Sequence, residues 1–392
     1  MLYSILLIGL LLCSFLDWVK IIPEHDKLIL FKFWIVVFLL LKGLAWDTGP
    51  DFAQFYATFE YADWSNIFSY QRYGSHKELM EPGFVFLNVL GNTFLPHYTF
   101  FKLITCGFIL YAFSKLILKY IPQYKISALA LMMVTTEMFP VRQTIVTGLF
   151  CLALIYIIER NLRNYIILIF ISFTIHKSSL LLLPFYYLYN IKYNVKWYIL
   201  IYFLFIGFRL IIQQNLMNIF SSDIVYILTG GSSDTYYVTN KDIQDISFVT
   251  VLSSIIHLIV FGYLNNQNSK LNILNSKVIN LFSNIYFVLL LCFVLGTLPG
   301  LIIVYRFANH FLVVYPILIL SACQIIVRKF KLARSLFAFS LFFVAWLIKF
   351  SNNMIFDKEG TDYKSTFEPY YSVFDSDGHN LIRNKKWPNY ND

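Results

Sequence analysis

The residues with the most reactive chemistry lie in short polar interruptions of apolar runs. His176 and Lys177 are adjacent in the middle of FISFTIHKSSLLLLPFYYL. Arg142 and Gln143 interrupt a second apolar region in FPVRQT, and Arg306 lies in a third, LPGLIIVYRFANHF. Arginine binds phosphate oxygens through parallel hydrogen bonds, and lysine binds them as a point charge. These cations therefore suit an anionic group such as a phosphate or a pyrophosphate, with Gln143 beside them.

Groups that could accept a proton lie in the same stretches or close to them. Histidine titrates near neutral pH and can take a proton from a hydroxyl, so His176 is the leading candidate for a general base. Asp47, Asp51 and Glu137 are alternatives that the residues do not separate from it. Arg72 adds a further cation in YQRYGSHKELMEPGF. The Asp47/Asp51 pair leaves a divalent cation as an option, but no HExxH or paired-cysteine motif is present. We expect no cofactor.

The composition defines the elements that must position these residues. The chain has 392 residues, of which 58% are hydrophobic and 14% charged, whereas about a quarter of the residues are charged in soluble domains. This indicates an all-α integral membrane protein, with no room for a large soluble domain. The net charge of +9 is then a matter of loop topology and does not indicate a nucleic-acid partner. The first sixteen residues resemble a retained span more than a cleaved signal peptide.

Hydropathy and charge together predict about twelve transmembrane helices. A span needs roughly 20 residues, and loops rich in Lys and Arg face the cytoplasm. This places the long loops 46–97 and 213–246 outside, with a single membrane domain over 1–350 and an outer tail at 351–392. The apolar segment 84–95 is expected on the outer leaflet, because a span there would invert the charge pattern. The predicted spans are 2–16, 28–45, 98–118, 126–141, 143–158, 165–175, 178–189, 197–212, 247–264, 278–298, 300–322 and 335–350.

Each polar residue also has an ordinary structural explanation. Lys177 would reach the lipid head groups with its charged end, Arg142 and Arg306 would anchor at the interface, and His176 would be a core histidine. However, a charged side chain at the centre of the bilayer costs about 2.5–3.5 kcal/mol on insertion scales and usually marks a functional site. Cations at three predicted outer hairpin tips also run against the positive-inside bias. Their clustering favours an outward-facing anion pocket.

Several motifs, in this order and spacing, resemble the EpsG-like, Wzy-type polysaccharide polymerases. They are DTGPDFAQFYATFE, EPGFVFLNVLGN, VRQTIVTGLFCLALIYIIERN, IHKSSLLLLPFYYL, YRFANHF and, in the tail, FEPYYSVF. The family often has an Arg-Gly stretch before the Asp of its first outer loop, and LAWDTGPD has no Arg there. A phosphate contact from that position is in doubt, and Arg72 is the candidate to replace it.

The resemblance implies a membrane glycosyltransferase that joins oligosaccharide repeat units carried on polyprenyl pyrophosphate. The reaction would occur at the outer face of the bacterial cytoplasmic membrane. A relation to membrane glycosyltransferases of the GT-C type is also an expectation. The implied partners are the lipid-linked donor and acceptor, membrane lipids, a flippase and a chain-length regulator. In this mechanism Arg142, Gln143, Lys177, Arg306 and Arg72 would bind the pyrophosphate.

Other functions fit parts of the same pattern. A glycosyltransferase that uses a polyprenyl-phosphate sugar, or an O-antigen ligase, would need a similar outer site. A flippase for lipid-linked oligosaccharide would carry cations along a cavity open to both sides, whereas the cations here gather on the predicted outer side. An O-acyltransferase would place its histidine deep in a span. The product, a ladder of chain lengths, distinguishes the polymerase from all of them.

Overall fold

The structure is a computed structural model, and the residues it describes form α-helices joined by short connections. Described are residues 2–19, 22–47, 52–71, 79–136, 142–215, 246–271, 275–296, 304, 307–329, 333–351 and 370–374. The helices are α1 (Leu2–Ser14), α2 (Glu24–Gly43), α3 (Phe52–Tyr61), α4 (Pro82–Phe94), α5 (Tyr98–Tyr120), α6 (Lys125–Thr135), α7 (Arg142–Ile158), α8 (Leu162–Ile175), α9 (Phe185–Leu188), α10 (Val195–Asn215), α11 (Phe248–Leu271), α12 (Ser276–Gly296), α13 (Tyr315–Lys329) and α14 (Ala333–Phe350). Within these ranges there is no β-strand, which confirms the all-α prediction; two isolated β-bridges occur.

Three of these helices are long and apolar enough to cross a membrane. They lie at Tyr98–Tyr120, Phe248–Asn268 and Ser276–Gly296, and five shorter apolar helices accompany them within the described residues. Many large apolar side chains of α2, α8 and α10 are exposed on the outside of the helix assembly. An outer surface of this kind needs an apolar solvent, so the chain is a membrane protein. The number of crossings stays a prediction.

Most predicted spans coincide with a helix, but two do not form one continuous α-helix. The predicted span 178–189 is a 3-10 helix, Lys177–Leu182, followed by a turn and the short helix α9. Pro184 lies at this break, where its ring and missing N–H prevent helix continuation. The described part of 300–322 likewise includes a 3-10 helix, Asn309–Val314, directly before α13.

One end of the assembly gathers the basic residues at the connections between helices, and we call it the basic end. There the first residue of α2, Glu24, binds both Lys27 and Lys125, with Nζ–O distances of 3.0 and 2.7 Å. Asp17, in the turn after α1, accepts a hydrogen bond from the backbone N–H of Ser127 at 2.7 Å. Lys119, near the end of α5, binds Glu159 just after α7. These contacts join α1, α2 and α6 to one another, and they join α5 to the end of α7.

The opposite end is built from α3, α4 and the termini of α2, α5, α7 and α8. The tail segment 370–374 also belongs to it: Ala45 pairs with Ser372 in an antiparallel bridge. The backbone N–H of Trp46 donates to the Tyr371 carbonyl at 2.9 Å, and that of Val373 donates to Leu44 at 3.0 Å. The predicted outer loop and the predicted outer tail are therefore in contact.

The segment predicted to lie on the outer leaflet is the helix α4. It packs against α3, α5 and α8, and the Asn92 amide donates to the Phe59 carbonyl of α3 at 2.9 Å. Pro82 at its first position favours a helix start, because its missing N–H would have no partner there anyway. Glu81 is the residue directly before α4, at its N-cap position, and it is central to the site described next.

Candidate functional site

A buried carboxylate, Glu81, lies at the centre of a charged cluster at the opposite end. Its Oε2 accepts a hydrogen bond from Nη1 of Arg142, the first residue of α7. Its Oε1 lies 3.3 Å from Nδ1 of His176, the residue that follows α8. Three separate stretches therefore contribute one residue each to the cluster. Two of the three, Arg142 and His176, are predicted site residues.

A close approach of two helices brings His176 to Glu81. A Cβ added at Gly83, in the first turn of α4, would lie 2.2 Å from Oγ1 and 2.7 Å from the backbone carbonyl carbon of Thr174 in α8. Only glycine permits this separation. The same contact sets Glu81 beside the end of α8, because Glu81 is two residues before Gly83.

The electrostatics of the cluster keep Glu81 ionised. Burial alone would raise the pKa of Glu81, but the Arg142 guanidinium and the hydrogen bond with His176 hold that pKa well below its ordinary value. A carboxylate can only accept hydrogen bonds, so Nδ1 of His176 carries the proton in this pair. In the neutral imidazole the Nε2 atom is then left with its lone pair. This is the arrangement of a histidine base oriented by a carboxylate.

The exposure of the three side chains differs in a way that matters for binding. The Glu81 side chain is 8% exposed, the Arg142 side chain 14% and the His176 side chain 25%. The acid is therefore covered while its two partners reach the surface. Arg142 also lies over the ring of Phe55 in α3, with Cζ 5.9 Å from the ring centroid. The cluster offers a guanidinium and an imidazole to an incoming group.

A second histidine, His310, lies near the cluster and is fully buried. Its Nδ1 is 2.7 Å from Oγ1 of Thr147 in α7, and that hydroxyl is 3.0 Å from the Gln143 carbonyl. Both bonds are kept when Nδ1 donates to Thr147 and Thr147 donates to Gln143. The other ring atom, Nε2, has no hydrogen-bond partner among the described residues, and His176 is within electrostatic range.

The remaining predicted site residues are distributed as follows. Gln143 is half-buried beside Arg142, and Lys177 is exposed beside His176. Asp47 is buried near the bridge to the tail, in a left-handed backbone conformation with φ of 47°, which aspartate tolerates better than most residues. Four further predicted residues, Asp51, Arg72, Glu137 and Arg306, lie outside the described residues. Within the described part of the chain no group of three His, Cys, Asp or Glu could hold a metal ion.

Glu81 and His310 are the two site residues for which the sequence analysis assigned no role. Glu81 stands directly before Pro-Gly, a combination that predicts a helix start with an acid at its N-terminus. That signal was available, but the partners of Glu81 are 61 and 95 residues away. His310 lies in an apolar segment, where a core histidine is the ordinary expectation.

Near this cluster, four aromatic rings pack against one another, and three of them lie close to the amine of Lys102 in α5. We call Trp46, Phe52, Tyr56 and Tyr98 the aromatic box; their neighbouring ring centroids are 5.2 to 6.5 Å apart. The Lys102 Nζ lies 5.5 Å from the centroid of Phe52 and 5.8 Å from those of Trp46 and Tyr98. The box is continuous with the tail bridge through Trp46.

These features define a polytopic helical membrane protein with a charged cluster at the end opposite its basic loops. The profile of the EpsG family matches residues 28–372, and the chain belongs to this family. The match includes Glu81, Arg142, His176 and His310, and it ends within the tail segment that binds α2. No curated protein and no solved structure matches the chain. The suggested relation to the GT-C type therefore stays a prediction.

Proposed function

We propose that the protein polymerises oligosaccharide repeat units carried on polyprenyl pyrophosphate. The site would face the outer side of the bacterial cytoplasmic membrane, with about twelve spans supporting it. Membership of the EpsG family supports a role in polysaccharide synthesis. The single observation that carries the chemistry is the cluster in which one buried carboxylate holds both Arg142 and His176.

The reaction that this cluster suits is a glycosyl transfer. A hydroxyl of the acceptor sugar attacks the anomeric carbon of the donor, and a new C–O bond forms. The bond from that carbon to the pyrophosphate oxygen breaks, and polyprenyl pyrophosphate leaves with the electron pair. The hydroxyl proton passes to Nε2 of His176, which Glu81 orients through Nδ1. Catalysis of this kind typically contributes about 10²–10⁴-fold in rate.

The cations would stabilise the leaving group. Negative charge grows on the pyrophosphate as its bond to carbon breaks, and a preorganised guanidinium is worth several kcal/mol in a site shielded from water. Arg142 fits this role because Glu81 fixes its position while its side chain stays partly exposed. Lys177 and the predicted partners Gln143, Arg306 and Arg72 would extend the same contact. The donor supplies the energy, so we propose a reaction without cofactor or nucleotide.

The direct test is the length distribution of polysaccharide in cells that carry Arg142→Ala or His176→Ala. We expect the ladder of long chains to collapse to single repeat units in both variants. Arg163→Ala and His25→Ala are matched controls, since both residues are exposed and lie at the basic end, and they should leave the ladder intact. Long chains in both site variants would refute the assignment of the site.

A transport assay separates this proposal from a flippase. Purified protein in liposomes would be given fluorescent lipid-linked repeat units, and both product length and sidedness would be measured. Joining of units without net movement across the bilayer supports the polymerase. Movement without joining would overturn the proposal, and addition of a single unit would favour a transferase or ligase instead.

A further inference from the structure

The side chain of Lys102 is buried at the end of the molecule that carries the candidate site. Lys102 is 1% exposed, and its Nζ has no hydrogen-bond partner among the described residues. Glu81, the acid of the charged cluster, is by contrast fully bonded on both oxygens. An ionised side chain that is buried without a partner is costly, so paired charges are the rule.

The aromatic box compensates for only part of that cost. A cation over an aromatic face gains about 0.5–2 kcal/mol, and the rings around Lys102 lie at 5.5 to 5.8 Å from its Nζ. Lys42, in α2, has its Nζ much closer to a ring, 4.2 Å from the Tyr3 centroid. The Lys102 ammonium is therefore surrounded by rings that it does not closely contact. This geometry leaves the group able to bind an oxygen anion.

The position of Lys102 relates it to the charged cluster. It lies in the first turns of α5, whose N-terminus carries a partial positive charge that also favours an anion. α3 connects the two places: the Phe52 ring belongs to the aromatic box, and Phe55, one turn later, lies under Arg142. Two cationic positions therefore lie along one helix.

We propose that Lys102 and the aromatic box form a second anion site, separate from Arg142, that takes a phosphate-class group. This inference rests on the proposed function, because joining two lipid-linked units requires two pyrophosphates to be held at once. Only the donor pyrophosphate leaves, and Arg142 serves that one. The second site holds the pyrophosphate that keeps its sugar, or the phosphate of a membrane phospholipid. Both ligands present the same oxygens to the ammonium.

The test measures binding and not polymerisation, so it can fail while the proposed reaction stands. Purified Arg142→Ala protein in neutral-lipid nanodiscs would be titrated calorimetrically with inorganic pyrophosphate, so that binding at the donor site is weakened and the contribution of Lys102 to the remaining binding can be measured. Adding Lys102→Met should weaken binding about tenfold or more, the loss expected for one charge-assisted hydrogen bond. Adding Lys115→Met, on the exposed face of the same helix, should leave binding unchanged. Equal affinity with and without Lys102 would overturn the proposal.

Two further measurements complete the experiment. If Lys102→Met does not fold, Lys102→Gln replaces it in the same titration, because the amide keeps a polar side chain without the charge. This variant should also bind pyrophosphate about tenfold more weakly or worse; an affinity equal to that of Arg142→Ala alone would refute the site. Nanodiscs with anionic phospholipid then identify the source. Competition by the phospholipid assigns the site to a head group, and undisturbed pyrophosphate binding assigns it to the carrier lipid.

Discussion

Two carboxylates, one at each end of the molecule, each bind two basic side chains, and the exposures of acid and bases are reversed. At the basic end the Glu24 side chain is 64% exposed, while its partners Lys27 and Lys125 are both 5% exposed. At the opposite end Glu81 is the covered group, and Arg142 and His176 reach the surface. At the basic end the acid is exposed and its basic partners are buried, whereas at the opposite end the acid is more buried than its basic partners.

This difference is the one expected between a structural contact and a binding surface. At the basic end the two lysines are buried, and the carboxylate of Glu24 is exposed to solvent. At the opposite end the acid serves as an internal anchor, and the groups presented outward are a guanidinium and an imidazole. An anionic substrate is attracted only to the second arrangement. Substitutions at the two carboxylates should therefore have different consequences.

The largest expected effect is on activity, for Glu81→Gln. This change leaves Arg142 without its ionic partner and His176 without the acceptor that orients it. Breaking a buried pair typically costs about 3–5 kcal/mol of stability, and we expect activity to fall by ~100-fold or more because the proposed base, His176, is no longer oriented. The measurement is the polysaccharide ladder, normalised to folded protein by size-exclusion chromatography.

Glu24→Gln is the counterpart at the basic end. The change leaves the buried side chains of Lys27 and Lys125 without their acid, so the protein should lose stability, but chain length per folded molecule should be unchanged because both lysines lie at the basic end. If Glu24→Gln and Glu81→Gln reduce polymer length equally, the distinction between the two clusters is wrong.

The next largest effect is expected for Gly83, which permits the close approach of α4 and α8 at the opposite end. Gly83→Ala forces a methyl group against Thr174, including its backbone, and moves α4 away from α8. We expect the Glu81–His176 contact to open and activity to fall ~10-fold or more, as is common when catalytic groups move by about 1 Å. The polymer ladder again reports the result.

Gly207→Ala in α10 is the matched control, since nothing lies within 4 Å of its added Cβ. It should leave activity unchanged. Normal chain length in Gly83→Ala would show that the close approach of α4 and α8 does not position the site.

The smallest effect on activity is expected for a change of Asp17, because this residue lies at the basic end. Its titration should alter the stability of the protein and not its polymer product. Burial raises the pKa of Asp17 from 3.8 to about 7, although hydrogen bonds from Ser127 and the nearby Lys125 and Lys27 oppose the shift. The folded state therefore binds the proton more tightly than the unfolded state does. This contribution to stability is complete below about pH 4 and is lost as the pH rises to about 7.

Asp17→Asn should remove that pH dependence, because asparagine keeps an oxygen for the Ser127 N–H and carries no charge. We expect the melting temperature of the variant to change less than that of the wild type between pH 4 and pH 7, with normal polymer at either pH. Identical melting curves across this range would show that Asp17 does not titrate as described.

Much of the helical framework could be predicted from the sequence, because apolar periodicity and loop charge act locally. The helix at 84–95 and the turn at His176 were both predicted, and Tyr165 of α8 does bond back to the Leu182 carbonyl at 2.5 Å. The break of 178–189 was not predicted. It depends on Pro184 and on packing against α8, which hydropathy does not register.

The site was predicted only in part, for a physical reason. Arg142 and His176 could be recognised because a charge within an apolar run is costly and therefore informative. Glu81 lies in a polar loop, where an acid is ordinary, and its role depends on contacts across 61 and 95 residues. Lys102 lies within the predicted span 98–118, and the aromatic box beside it is assembled from three stretches of the chain.

The bridge between Ala45 and Ser372 also determines when this end of the protein can be completed. The Tyr370 hydroxyl bonds the Leu41 carbonyl at 2.9 Å, across 329 residues, and chains are synthesised and inserted from the N-terminus. The segment around Trp46 can therefore form its bridge to the tail only after nearly the whole chain has left the ribosome. A truncated translation product would carry Arg142 and His176 and still lack the tail segment that bonds the backbone of Trp46.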